Sequence, residues 1–284
     1  MTRPLVTLVS PVYNTMPYLS DFLACLEQQT WRPLEVILVD DGSTDGSAAC
    51  LRAWKPVLEK AGIETQLLFC PHGGQAAAMN AALPLIHGEL FTWCDADDLL
   101  TPDSTEKKAL WLMDHPEVGM VRSNGTVLDA DKNIFLAESA READKCQKNI
   151  FEDLFSGQCY CYAGCYMVRA SLFFSCYPDK RIPLSPEGQN LQLLLPPASR
   201  TECGYLNERL HTYCRRSSGH SSQDRSYQEN LCRIENFTAL RLAVLPHCHC
   251  DQAHFAAVAK ALEEKNKKAL LYSAVLRARK ELAK

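Results

Sequence analysis

The chain has 284 residues, a formal net charge of −4 and 46% hydrophobic residues, a composition that fits a soluble protein of one large or two small domains. It lacks the basic field expected of a nucleic-acid partner, and no apolar run reaches the ~18 residues of a membrane span. Met1-Thr2-Arg3-Pro4 lacks the features of an export signal, so the expected compartment is the cytoplasm.

Residues 5–9 predict a strand, closed by Ser10-Pro11. Asn14-Thr15-Met16-Pro17 opens a helix in which Leu19, Phe22, Leu23 and Leu26 recur at i, i+3, i+4 and i+7. Residues 35–39 predict a second strand. Thr44 or Asp45 can cap the following helix, which Pro56 is expected to interrupt or end. Residues 65–69 read as a third strand. Gly73-Gly74-Gln75 then leads into an Ala-rich helix through Leu83, and residues 90–94 form a fourth strand. Pro102 takes a first helical position behind Thr101. This alternation over the first ~115 residues predicts a mostly parallel sheet covered on both faces.

Beyond that point the pattern changes. Residues 118–123 and 125–128 read as two strands, 150–155 as a short helix and 166–169 as a strand. The apolar run 189–195 ends at Pro196-Pro197, and the chain reads as mainly helical from Tyr227. Among 14 cysteines, two groups stand out: Cys159, Cys161 and Cys165, then His247, Cys248, His249, Cys250 and His254. Neither has paired zinc spacing, so structural or incidental thiols are expected.

Two acidic stretches follow predicted strands. They are Asp40-Asp41-Gly42-Ser43-Thr44-Asp45 and Asp95-Ala96-Asp97-Asp98. Ligands of open α/β sheets bind at the carboxyl ends of strands. Repeated Asp there suits a divalent cation bridging to a phosphorylated ligand, because hard cations prefer oxygen. Taken singly, Asp-Gly-Ser is a common turn, Asp97-Asp98 a helix cap and Tyr13 a core-edge aromatic.

The ordered set is far more specific. Ser10-Pro11-Val12-Tyr13-Asn14, Gln28-Gln29-Thr30, Val39 through Asp45, Gly74-Gln75 with Asn80, and Asp95-Ala96-Asp97-Asp98 with Pro102 resemble glycosyltransferase family 2. The resemblance covers residues 4–125, weakens towards 225 and does not extend into the tail. It implies a GT-A fold, an α/β Rossmann-like, mostly parallel mixed sheet covered by helices. Residues 1–225 would be the glycosyltransferase domain, with a nucleotide-sugar-binding half (1–125) and an acceptor-side half (126–225). Residues 226–284 would be a helical extension.

The resemblance also implies roles. Pro11, Tyr13 and Asn14 would border the nucleoside. Asp41, with Asp40, would bond the base or ribose. Gly74 and Gln75 would lie beside the nucleotide, and Asp95 would face the ribose or sugar. Asp97, with Asp98, would hold Mn²⁺ or Mg²⁺ against the diphosphate. Arg215-Arg216-Ser217-Ser218-Gly219-His220-Ser221 resembles the segment that closes over the diphosphate, with Arg216 gripping phosphate and His220 completing the metal shell.

One departure stands out. The family places a Glu-Asp pair after a Gly to deprotonate the acceptor; here Gly188 is followed by Gln189-Asn190. Amides can orient a hydroxyl but cannot take its proton near neutral pH. Glu187 is the preferred base, and Asp179 another carboxylate that could enter. The expectation is an inverting, metal-dependent transfer from a nucleotide-diphospho-sugar, UDP-linked, to a saccharide or lipid-linked acceptor. The alternative is a catalytically weak nucleotide-sugar-binding module serving as a partner or regulatory subunit. The tail mixes Lys260, Lys265, Lys267, Lys268, Arg277, Arg279 and Lys280 with apolar residues. That suits either peripheral contact with anionic lipid or a solvated helix packed on the domain or on a second copy.

Overall fold

In a computed structural model describing residues 2–217, 219 and 222–282, β1 (Val6–Val12) and β2 (Leu34–Asp40) are buried along their whole length. Their side chains alternate between two cores. Val6, Leu8, Val12, Leu34, Val36 and Leu38 face one, while Val9, Ile37 and Val39 face the other. A strand covered on both faces reads as a continuous apolar run, which is how these strands announce themselves. β3 (Ile63–Phe69) and β4 (Leu90–Trp93) join them in parallel.

Helices α1 (Leu19–Glu27), α2 (Ser47–Lys60) and α4 (Ser104–Asp114) cover the first face through Leu23, Leu51 and Leu112. Helix α3 (Gln75–Ala82) covers the other through Ala78 and Met79. α2 runs through Pro56 to Lys60. Proline removes one N–H there, but Leu51 and Leu58, buried on either side of it, hold the helix to the sheet. Pro102 lies just outside α4, whose N-cap is Asp103. Gln29 ties α1 to α4: its amide donates to Cys25 O and Thr101 O, and its carbonyl accepts from Thr105 N and Oγ1.

The second half adds β5 (Leu99–Leu100), β6 (Met120–Asp129), β7 (Ile134–Glu138), β8 (Tyr166–Arg169) and β9 (Cys203–Arg215). The two strands expected at 118–123 and 125–128 are one, β6, with its register shifting around Asn124. The described residues form a nine-stranded sheet in the order β3-β2-β1-β4-β8-β6-β9-β5, with β7 paired to β6. β8 is antiparallel to β4 and β6, and β9 is parallel to β6. The start of β8 and the ends of β6 and β9 therefore share the edge onto which β4 delivers Asp95.

The remaining helices are α5 (Glu142–Cys146), α6 (Phe151–Ser156), α7 (Ala170–Cys176), α8 (Asn190–Ala198), α9 (Tyr227–Val244) and α10 (Gln252–Leu282). A capping box of Ser226 and Glu229 starts α9. Leu240, Val244, Phe255 and Ala259 bring α9 and α10 into the core on the α3 face. Among the described residues no helix is long and apolar enough to cross a membrane.

Candidate active site

The loops after β1, β2 and β3 are stapled together by the acidic turn. Asn14 Oδ1 accepts from Thr44 N at 2.8 Å, and Asp45 Oδ2 accepts from Met16 N at 2.9 Å. Asp41 accepts from Gly73 N and Gly74 N, each at 2.8 Å, and from His72 Nδ1 at 2.9 Å. Gly42 is required here: its φ is +74°, and a Cβ would sit 2.8 Å from His72 N. Both oxygens of Asp41 are thus spent on the loop. Its neighbour Asp40 is buried, and its Oδ1 has no hydrogen-bond partner among the described residues. Tyr13, 44% exposed, stacks on His72 with centroids 4.0 Å apart. Pro11 is buried within β1, beside Val39 of β2. Tyr13, His72 and Asp40 are therefore the wall at this end of the sheet edge.

At the end of β4 three carboxylates crowd together. Burial, followed by the charges of Asp98 and Asp97, raises the pKa of Asp95 to about 7. Burial and Asp98 raise that of Asp97 to about 6 against the opposing pull of Arg216. Asp98 faces inward: Oδ1 accepts from Cys214 N at 2.8 Å, and Oδ2 lies 3.1 Å from Nε2 of the buried His211. Burial alone would lower the pKa of His211, but Cys165 and the Asp98 carboxylate raise it well above the usual value. Asp98 therefore ties the loop to β9, while Asp97 keeps 43% of its side chain exposed.

The 185–190 loop closes on the carboxylates. Gln189 Nε2 donates to Asp95 Oδ1 at 3.1 Å, and Asn190 Oδ1 accepts from Trp93 Nε1 at 2.8 Å. A Cβ on Gly188 would lie 3.5 Å from Gln75 Oε1, so Gln75, at the start of α3, reaches this loop. Asn80 anchors the segment's start through Ile182 N and O. Glu187 is turned towards α9, where Arg233 Nε donates to Oε2 at 3.0 Å and Asn236 Nδ2 to Oε1 at 3.3 Å. Its side chain is 8% exposed. Asp179 accepts from Arg181 N within its own turn.

Arg216 follows β9 and lies against Asp97, donating to its backbone O at 2.7 Å with Oδ2 at 3.4 Å. Its guanidinium sits 3.8 Å from the Tyr18 ring centroid, and its Nε has no partner among the described residues. His220 lies outside the described residues. The structure thus brings together Asp95, Asp97, Gln189 and Arg216, and turns Glu187 and Asn190 to structural partners.

Sequence reasoning missed His72, His211 and Tyr18. The family pattern includes Asp41 and Asp98 but not their partners, which come from distant elements. The basic residue directly before Gly73-Gly74 was the one available signal for His72. The cysteine groups serve the fold. Cys159 Sγ accepts from Arg122 Nη1 at 2.9 Å, Cys165 Sγ lies 3.5 Å from His211 Nδ1, and Cys248 Sγ donates to Val244 O.

Residues 7–174, more than half of the chain, match the model of glycosyl transferase family 2. An uncharacterized glycosyltransferase of Haemophilus influenzae is 33% identical over 147 residues, covering 51% of this chain and 56% of that protein. Glycosyltransferase GlyG of Streptococcus pneumoniae is 34% identical over 102 residues, covering 36% of this chain and 33% of that protein. The chain therefore spans between a third and just over half of these curated relatives. S. aureus TarS 1-349 in complex with UDP-GlcNAc superposes with a TM-score of 0.66 at 17% identity, covering 94% of this chain and 71% of that one. The mannosyltransferase PcManGT of Pyrobaculum calidifontis, in complex with GDP-Man and Mn²⁺, gives 0.61 at 20% identity, covering 99% and 79%. These solved structures show the shared GT-A fold. With the family match and the ordered carboxylates at the strand ends, this chain belongs to glycosyltransferase family 2.

Proposed function

We propose that this chain transfers a sugar from a nucleotide-diphospho-sugar to a saccharide or lipid-linked hydroxyl, with inversion at the anomeric carbon. The observation that carries this reading is the crowding of Asp95, Asp97 and Asp98, with Arg216 against Asp97. Carboxylates that raise one another's pKa favour a ligand that adds positive charge. Their oxygen donors fit Mn²⁺ or Mg²⁺. Asp97 would hold the ion, since Asp98 is occupied by His211 and Cys214. Held there, such an ion would supply positive charge against the diphosphate as it departs.

Tyr13, His72 and the unpartnered Asp40 would receive the nucleoside, with Pro11, Asn14, Gly74 and Gln75 bordering it. Asp95, oriented by Gln189, would face the ribose or sugar. Arg216 would meet the diphosphate. The ligands of TarS and PcManGT, UDP-GlcNAc and GDP-Man with Mn²⁺, support a nucleotide-sugar donor and a divalent cation; a UDP-linked donor is the preferred case. The acceptor oxygen bonds to the anomeric carbon as the bond to the diphosphate breaks, and the nucleoside diphosphate leaves with the electron pair. We assign the acceptor's proton to Glu187; to take it, Oε1 would have to let go of Asn236 Nδ2, the longer of the two tethers that hold it towards α9.

Glu187→Gln tests that assignment. Transfer should fall by about 10² or more while donor affinity holds, the scale of a lost general base. Transfer unchanged in this variant would overturn it. The amides Gln189 and Asn190 favour one other reading, a nucleotide-sugar-binding module with little turnover. Donor binding without release, even with acceptors present, would select it. Leu271, Tyr272, Val275 and Leu276 are exposed on α10 near Lys265 and Lys268. This supports contact with anionic lipid, which sedimentation with phosphatidylserine vesicles would test.

A further inference from the structure

Residues 159–165 run along the open end of β4. Gly164 N donates to Trp93 O, and the buried Lys108 donates through Nζ to Gly164 O. Tyr160 is fixed from both ends: its hydroxyl donates to Ser123 O, and its carbonyl accepts from the Tyr166 hydroxyl. Between these anchors Tyr162 stands half-buried beside the end of β9. Its ring stacks on Tyr213, with centroids 4.7 Å apart and 22° between planes. Its other aromatic neighbours are Tyr160, at 6.4 Å, and His211, at 6.5 Å. The Tyr162 hydroxyl has no hydrogen bond among the described residues and is not buried without a partner. His211 is bonded to Asp98, so one side chain separates this stack from the carboxylates.

The sheet order sets the stack apart from the nucleoside wall. Tyr13 and His72 follow β1 and β3, on one side of β4. Tyr162 precedes β8 and Tyr213 lies near the end of β9, strands that come after β4 in the sheet order, whereas β1 and β3 come before it. A transferase needs two substrates that meet at the carboxylates from opposite sides. The reacting acceptor group belongs on the side the nucleotide does not take.

We propose that Tyr162 and Tyr213 form the acceptor subsite, a platform for the C–H face of a pyranose ring; this rests on the glycosyl-transfer reading above. A pyranose presents an apolar face of axial C–H bonds rimmed by hydroxyls. A half-exposed tyrosine pair matches it with an apolar surface and a polar tip. The rings are already stacked, and each has only two side-chain torsions, so little entropy is lost when the sugar settles. The acceptor is therefore a saccharide at its reacting end. The Tyr162 hydroxyl is positioned to bond one of its rim hydroxyls.

The test is saturation-transfer difference NMR on the full chain with UDP and Mg²⁺. The probes are methyl β-D-glucoside, methyl β-D-N-acetylglucosaminide, methyl β-D-galactoside and methyl α-D-mannoside. At least one should show saturation concentrated on ring C–H protons. Tyr162→Ala and Tyr213→Ala should each cut that signal by roughly fivefold, the scale of a lost aromatic contact. Tyr162→Phe should keep most of it, which also guards against an unfolded alanine variant. Saturation unchanged in all three variants, or no saturation from any probe in the unmodified chain, would overturn the platform. UDP titration of the same samples separates the two readings. UDP binding without a glycoside signal defeats the platform alone, whereas a chain that binds neither UDP nor a nucleotide sugar defeats the glycosyl-transfer reading.

Discussion

Gln189 donates its amide N–H to Asp95 Oδ1 at 3.1 Å, joining the loop before α8 to the end of β4. The bond lowers the pKa of a carboxyl that burial and its acidic neighbours push up to about 7. An amide suits this place because it donates without adding charge. Gln189→Glu would set a second carboxylate against Asp95. Near pH 8 both would be ionised, at a cost on the order of 1–3 kcal/mol for a buried group without its partner. Below about pH 6 a proton shared between them removes the repulsion. Thermal melts should show a clear drop at the higher pH and a small one at the lower. Equal melting at both would show that the contact carries no weight.

The raised carboxyls give a pH signature. Asp95 at about 7 and Asp97 at about 6 lie above their ordinary value of 3.8. Between these values the folded state holds protons that the unfolded state has lost, so the stability from these groups falls as pH rises from about 4 to about 7 and then levels off. A divalent cation held by Asp97, as proposed, would compete for the same oxygens. Mg²⁺ should therefore raise the melting temperature more near pH 8 than near pH 5.5, and bind more weakly at the acid end. The experiment is a Mg²⁺ titration followed by calorimetry at both values. A cation effect independent of pH would place the ion elsewhere.

Arg216 is gripped by Asp97 and stacked on Tyr18. Both contacts use the planar guanidinium fork, which lysine lacks. Arg216→Ala should weaken UDP binding by about tenfold to a hundredfold, the loss of one charge-assisted contact worth ~1.5–3 kcal/mol. Arg216→Lys should recover only a small part. Isothermal titration with UDP and Mg²⁺ reads both; full recovery by lysine would mean that charge alone matters.

Asp98 and His211 form a buried pair behind the site. Removing only the histidine leaves a buried carboxylate with Cys214 N as its remaining donor. His211→Ala should cost roughly 3–5 kcal/mol, whereas the double variant with Asp98→Asn should recover part of that loss. Urea denaturation of the four proteins of the cycle measures the coupling. Additive losses would show that the pair is not coupled.

These contacts also show what the sequence could and could not convey. β1, β2 and β4 were legible because strands buried on both faces read as unbroken apolar runs. β9 was missed because its middle, Asn207-Glu208-Arg209, is exposed and breaks any such run. The one strand at 120–129 looked like two because the polar Asn124 separates the two expected runs. In the site, Asp97 could be placed from its motif and its position at a strand end. The inward turn of Asp98 depends on His211, more than a hundred residues away. Glu187 follows the same rule, since Arg233 and Asn236 on α9 decide where its carboxylate points. A motif gives the residue; its partner across the fold gives the direction it faces.

The most direct test of sugar transfer at this site is release of nucleoside diphosphate from UDP-GlcNAc and GDP-Man, with and without Mn²⁺ or Mg²⁺. Metal-dependent release from one donor is expected, reduced by about 10³ or more in Asp97→Ala, the scale of lost stabilisation at a developing charge. Release that persists without metal, or that survives unchanged in Asp97→Ala, would contradict metal-assisted transfer at this site.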